Sequence, residues 1–301
     1  MIAVSQPATS GRSGCLRISA CAASATLLAG LLVMHSSNST AVELSRLHAE
    51  TNRPTPIRLS DGTLMPPIAA GTGGYYTTEG FYDDRTAERA VGRALDVGFT
   101  SVDTAVMYGN EAGVGNAVRR RSGIFVTSKV SRCAAGATPD ECAATTVAQM
   151  RDSTVQLGLP QHDLVLVHQP PAGVPCAGGV GCTLLQAQWR AMEAAQRVGL
   201  TRSIGVSNLC PACLRCLLRN ATVPPAVNQV EIHVGMGADP GGIATYSMAR
   251  GVIPYAYSPL SSQPSRMAAV PAAAAGPVCR AGGAAVGRAA RVAAGGQVAE
   301  R

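Results

Sequence analysis

From Asn52 onward, apolar and polar positions fall into a repeated alternation. Short runs rich in valine, isoleucine and threonine are each followed by a longer stretch with apolar residues three and four positions apart. The runs predict strands at Pro67 to Thr72, Thr100 to Thr104, Gly123 to Lys129, Asp163 to His168, Arg202 to Ser207, Ala226 to His233 and Val252 to Ser258. Between them AERAVGRALDVG, EAGVGNAVRR, ATTVAQMRDSTVQLG, LLQAQWRAMEAAQRVG and PACLRCLLRN carry the helical repeat, and Gly98, Gly158 and Gly199 act as helix stops. Strand followed by helix, repeated, specifies parallel βα units. Ahead of them, PIRLSDGTLMP reads as a hairpin turning at Asp61-Gly62.

A hairpin followed by parallel units favours an α/β architecture of the plugged (β/α) barrel kind over an open doubly wound sheet. The open sheet has one hook, Gly113-Val114-Gly115-Asn116-Ala117 at the start of a helix. It lacks the third glycine and the distal acidic residue of a dinucleotide-binding turn, so that fingerprint fails.

Composition changes this picture at both ends of the chain. At 301 residues and 47% hydrophobic, the chain can fill one large domain. Arg12 and Arg17 precede Ile18 to Met34, which carries no charge, and Ser39-Thr40-Ala41 follows with small residues. Residues 1–41 thus read as a signal peptide for the secretory or extracellular route, with a membrane anchor through residues 18–34 or an organelle leader as alternatives. After Leu260 the character reverses. Residues 261–301 hold no leucine, isoleucine or aromatic residue, and twenty of the forty-one are alanine or glycine. Such a stretch predicts a disordered tail. It also resembles GC-rich codons read out of frame, which raises a shifted frame or a truncated gene.

The formal charge of +7 brings up nucleic acid, but the arginines are scattered and no basic run is interleaved with stacking aromatics, so no nucleic-acid partner is expected. An anionic cofactor suits the charge equally. Of the ten cysteines, Cys133 with Cys142 and Cys176 with Cys182 lie close together in Gly/Pro-rich stretches and suggest disulfides, with buried thiols as the plainer reading. Asn38-Ser39-Thr40 and Asn220-Ala221-Thr222 are glycosylation sequons. Cys210, Cys213 and Cys216 have metal-like spacing. No fourth ligand follows, so they read as thiols lined along one helix, and no metal is expected.

In a (β/α) barrel, chemistry gathers where the strands end. VDTAVMYGNE puts Asp103 at a strand end with Tyr108 in the next loop, FVTSKV ends with Lys129, and LVLVHQP ends with His168. Each alone has an ordinary reading as a cap, packing or a structural histidine. On adjacent strands they converge on one rim. Lys129 is also the single lysine among twenty-five basic residues. A role that arginine's fork cannot fill would account for it, with chance placement of one lysine as the competing account.

VDTAVMYGNEAGVG, FVTSK, DLVLVHQP, IGVSN, AVNQVEIH and AYSPL, in this order, resemble the aldo-keto reductase superfamily over about Ile57 to Leu260, assigning a reductase domain to residues 52–260. The resemblance implies a (β/α)8 TIM barrel and NADP(H)-dependent reduction of an aldehyde or ketone by a monomer. It maps Asp103, Tyr108, Lys129 and His168 onto the family's catalytic tetrad. Tyr108 would be the proton donor, Lys129 the cation that lowers its pKa, Asp103 the residue that places the cation, and His168 the group that orients the carbonyl. It also implies cofactor contacts from Thr72, Asp103, Ser207, Asn208, Gln229, Tyr257, Ser258 and Leu260, without a Rossmann fold. The family's eighth βα unit and its grip on the 2′-phosphate should lie in the tail, which lacks the residues for them. That leaves two rivals, a nucleotide-binding regulatory protein without turnover and a fragment that does not fold.

Overall fold

The computed structural model of the protein describes residues 55–73, 83–233, 236–237 and 239–259. The expected leader at 1–41, Leu260 and the tail at 261–301 lie outside the described residues. No helix among the described residues is long and apolar enough to cross a membrane.

The hairpin forms where the sequence predicts it. β1 (Ile57–Arg58) pairs antiparallel with β2 (Leu64–Met65), Ile57 opposite Met65. Gly62 has φ 89°, a backbone region that a Cβ disfavours. One Asp61 oxygen accepts from the Thr63 amide at 2.9 Å, and the other accepts from the Ser203 hydroxyl at 2.6 Å, which ties the turn to the sheet. Leu59 and Met65 are buried against Phe125, Leu164, Leu166, Val227 and Tyr255, so the hairpin closes off the sheet interior.

Seven strands follow, each parallel to and paired with the next: β3 (Ala70–Gly71), β4 (Ser101–Asp103), β5 (Phe125–Val130), β6 (His162–Val167), β7 (Thr201–Ser207), β8 (Val227–Glu231) and β9 (Ile253–Tyr257). Parallel neighbours need crossovers. These are α1 (Asp84–Asp96), α2 (Glu111–Val118), α3 (Pro139–Leu157), α4 (Gly179–Arg197), α5 (Pro211–Leu218) and α6 (Ile243–Met248). The result is the curled α/β sheet of a (β/α)8 barrel, with β3 and β9 outermost among the described residues. All the predicted strands are present, β3 shorter than its apolar run. The sequence pattern missed α6. Six residues are too few to show a helical period, and the Asp239 carboxylate fixes its start by accepting from the Ala244 and Thr245 amides, both at 2.9 Å.

Strand alternation decides what faces the interior. In β5, Val126 and Val130 pack outward among the helices, whereas Phe125 joins the interior cluster. Thr127 and Lys129 share the side of Phe125. In β6, Val165 and Val167 face outward and Leu164 and Leu166 inward, so His168, the next even position, also opens to the interior. The polar residues at strand ends are thus held by the same alternation that fills the core beneath them.

The cysteines correct the expected pairing. Cys133 bonds Cys142, as expected, with Cα atoms 5.2 Å apart. Cys176 pairs with Cys213 and Cys182 with Cys216, rather than with each other. The reason is helical spacing: Cys213 and Cys216 are three apart on the buried face of α5, which lies beside the start of α4 where Cys182 sits. Only Cys210 of that helix keeps its thiol.

The glycines of the Gly113-Val114-Gly115 hook are packing devices. A Cβ on Gly113 would strike the Asp84 backbone, and one on Gly115 the Leu157 carbonyl, so both permit α2 to approach α1 and α3 closely. Gly115→Ala should therefore lower the unfolding free energy by about 1–3 kcal/mol. Gly92→Ala, in α1 where an added Cβ meets nothing within 4 Å, should raise it by about 0.5–1 kcal/mol. Urea unfolding of both variants beside the parent reads the two opposite signs.

Candidate active site

Lys129 projects from β5 into the interior with its side chain 1% exposed. Its ammonium is ion-paired with Asp103 at the end of β4, donates to the Thr104 carbonyl at 2.9 Å, and shares a hydrogen bond with Tyr108. Tyr108 ends a single turn of 3-10 helix, Val106–Tyr108, closed by Gly109 at φ 66°. That turn places the phenol ring with its centroid 5.2 Å from the Lys129 nitrogen. The His168 ring meets it edge to face, centroids 5.5 Å apart and planes at 83°. The structure thus brings the four sequence-predicted residues into one cluster.

A second arc adjoins it. The Gln229 amide donates to the remaining Asp103 oxygen at 2.7 Å, and its backbone carbonyl accepts from the Ser207 hydroxyl at 2.8 Å. Asn208, in the left-handed region at φ 60°, donates to the His168 carbonyl at 2.9 Å and to the Ser207 hydroxyl at 3.1 Å. Its side-chain oxygen accepts from the Tyr257 hydroxyl at 2.9 Å. Ser258 follows, also left-handed at φ 50°. Thr72 lies at the end of β3, with its hydroxyl turned to Asn110 at 3.3 Å. Leu260 is outside the described residues.

Burial and charge set the protonation states. Burial opposes the Lys129 ammonium, but Asp103 and Tyr108 together hold its pKa above the ordinary lysine value, so it is charged. Burial pushes the Tyr108 hydroxyl up. Lys129 pulls it down as the sequence argument requires, but desolvation outweighs that pull, and the net shift is upward. His168 is depressed to about 3, by burial first and by Lys129 second. It is therefore a neutral imidazole, and its Nδ1 is a buried atom without a hydrogen-bond partner among the described residues.

Sequence reasoning missed two supports. Gly73 leaves the space that Tyr108 occupies: a Cβ there would lie 2.8 Å from Cζ and 3.0 Å from the hydroxyl oxygen. Asn110 is buried, accepts from the Thr104 hydroxyl at 3.2 Å and donates to the Thr72 carbonyl at 3.0 Å, which pins the Tyr108 loop between β3 and β4. Its position within the YGNE run was the only signal. On the opposite face of β5, Ser128 and Ser153 both donate to Glu111 at 2.6 Å, and Ser153 reaches His162 Nε2 at 2.9 Å.

An unfolded imidazole titrates near 6.5, whereas native His168 does so at about 3. Between those values the unfolded chain holds a proton that the native state refuses. The contribution of His168 to stability is therefore full above pH 6.5 and is lost as pH falls toward 3. Urea unfolding between pH 7 and pH 4 should show stability falling less steeply in His168→Asn than in the parent, by about one proton.

The model of the aldo/keto reductase family matches residues 67–270. An aldo-keto reductase of Mycolicibacterium vanbaalenii is 35% identical over 206 residues, covering 67% of this chain and 66% of the relative. The chain spans slightly under two thirds of the length of the first curated relatives it matches, at 66%, 65% and 63%. Among solved structures, an aldo-keto reductase from a Medee basin deep-sea metagenome library aligns with TM-score 0.57 and 32% identity, over 70% of this chain and 69% of that one. A Bombyx mori aldo-keto reductase crystallised in complex with NADP aligns with TM-score 0.56 and 28% identity, over 68% and 66%. The chain belongs to the aldo/keto reductase family.

Proposed function

We propose that the protein reduces aldehyde or ketone carbonyls with NADP(H), using Tyr108 as the proton donor. The observation that carries this reading is the contact of a buried, charged Lys129 with both Asp103 and Tyr108. A carbonyl oxygen gains negative charge as it is reduced and then takes a proton, so a donor must stand where that charge develops. Tyr108 offers the proton. The Lys129 ammonium stabilises the phenolate left behind, and Asp103 keeps that ammonium in place. Neutral His168 carries one N–H, which it can donate to a carbonyl oxygen without competing as an acid.

The residues present fit a nicotinamide cofactor. Ser207, Asn208 and Gln229 combine one hydroxyl and two amides at neighbouring strand ends, a donor and acceptor set that matches a carboxamide. By the family resemblance, Tyr257 would supply a ring face, and Thr72, Asp103, Ser258 and Leu260 would add further contacts. When bound, the cofactor supplies the hydride. The chain's own residues orient the carbonyl and hold the proton.

NADPH oxidation with a reactive aldehyde, measured on the full chain, tests the reading. Tyr108→Phe should lower kcat by about 10²–10⁴-fold while cofactor fluorescence quenching persists. Quenching without turnover in the parent would overturn the catalytic reading in favour of a nucleotide-binding role. Gly73→Ala should displace the phenol and lower kcat by about 10²-fold, with the aldehyde KM changing much less.

A further inference from the structure

The sulfurs at the start of α5 have a role that the reductase reading does not use. Cys210 is the N-cap residue of α5 and is followed by Pro211, Ala212 and Cys213, giving a C-x-x-C at a helix start. Cys210 is exposed and holds a free thiol, while Cys213 is bonded to Cys176 from the loop between β6 and α4. The Cys210 sulfur lies 3.2 Å from the Cys213 sulfur, and the three sulfurs are all within 4.8 Å of one another. With Cys176 and Cys213 joined, one thiol remains, which is too few for a three-thiolate metal site.

We propose that Cys210, Cys213 and Cys176 form a thiol–disulfide exchange site in which the free thiol alternates between the exposed Cys210 and Cys176, which is buried while bridged and opens to small disulfides and alkylating agents once its loop is released from α5. The Cys210 thiol first gives its proton to solvent. Its sulfur electron pair then forms a bond to Cys213, the Cys176–Cys213 bond breaks, and the leaving pair stays on Cys176, which takes a proton from solvent. One S–S bond forms and one breaks, so no outside oxidant or reductant is needed. The product is a Cys210–Cys213 bridge of the C-x-x-C kind found in exchange-active proteins.

The two states differ in what they tether. In the first, the loop after His168 is tied to α5 through Cys176; in the second it is released, while Cys182–Cys216 still holds α4 to α5. Asn208, which bonds the His168 carbonyl, stands two residues before Cys210. The exchanging sulfurs thus lie on the two chain segments that carry His168 and Asn208, and the proposal stands on the sulfur geometry and not on the reductase activity.

A pulse of excess N-ethylmaleimide on the native, unreduced full chain at pH 8, followed by digestion in acid and peptide mapping, tests the proposal. It predicts two populations, one with Cys210 labelled and Cys176–Cys213 bridged, the other with Cys176 labelled and Cys210–Cys213 bridged. In Cys210→Ser, which leaves the Cys176–Cys213 bridge intact, labelling of Cys176 should fall to background. In Cys176→Ser treated with oxidised glutathione, which takes up the two electrons and leaves as two thiols, the Cys210–Cys213 bridge should dominate. Label confined to Cys210 in the parent, or a Cys210 still unbridged in Cys176→Ser after oxidised glutathione, would overturn it.

Discussion

A positive charge sealed inside a barrel needs partners that cannot move away, and the ammonium of Lys129 has three. Burying an ion alone costs several kcal/mol, and a single partner rarely offsets it. Here the Asp103 carboxylate and the Thr104 carbonyl accept from it, and the Tyr108 phenol stands against it as the third. An arginine would bring five donors in a planar fork to a pocket shaped around a single compact charge. This geometry explains why a chain that otherwise uses arginine keeps one lysine. Asp103 is held in turn by Gln229 from β8, so the pair links strands on different parts of the sheet.

The same pair explains how the scaffold and the chemistry share residues. Strand alternation points Lys129 and Thr127 inward, and Ser128 outward to Glu111 and Ser153. β5 thus carries a lysine facing the cleft and, one position earlier, a serine facing the helices. Glu111, pushed up by burial and steadied by the two serines, forms the polar layer behind Lys129. Shifting the register of β5 by one residue would send Lys129 into the helices and Ser128 into the cleft, so an error there would cost fold and site together.

Much of this was legible in the sequence because the signals were local. Alternating valines marked the strands, Asp61-Gly62 marked the hairpin, and the strand-end positions of Asp103, Lys129 and His168 followed from where the apolar runs stop. What escaped depended on distant neighbours. The partners of Cys176 and Cys182 come from α5, which spacing along the chain cannot show. Gly73 matters only because Tyr108 folds back against it. The upward shift of Tyr108 reflects a contest between burial and a cation, and sequence shows the cation but not the depth of burial.

Whether the Lys129 charge acts on the Tyr108 proton is answered by titrating that one phenol. Carbon-13 labelling of the tyrosine Cζ positions, with Tyr108→Phe identifying the resonance, allows the pKa of Tyr108 to be followed in the parent and in Lys129→Met. Removing the ammonium should move the titration to still higher pH. A Tyr108 titration unchanged or lowered by that substitution would contradict it.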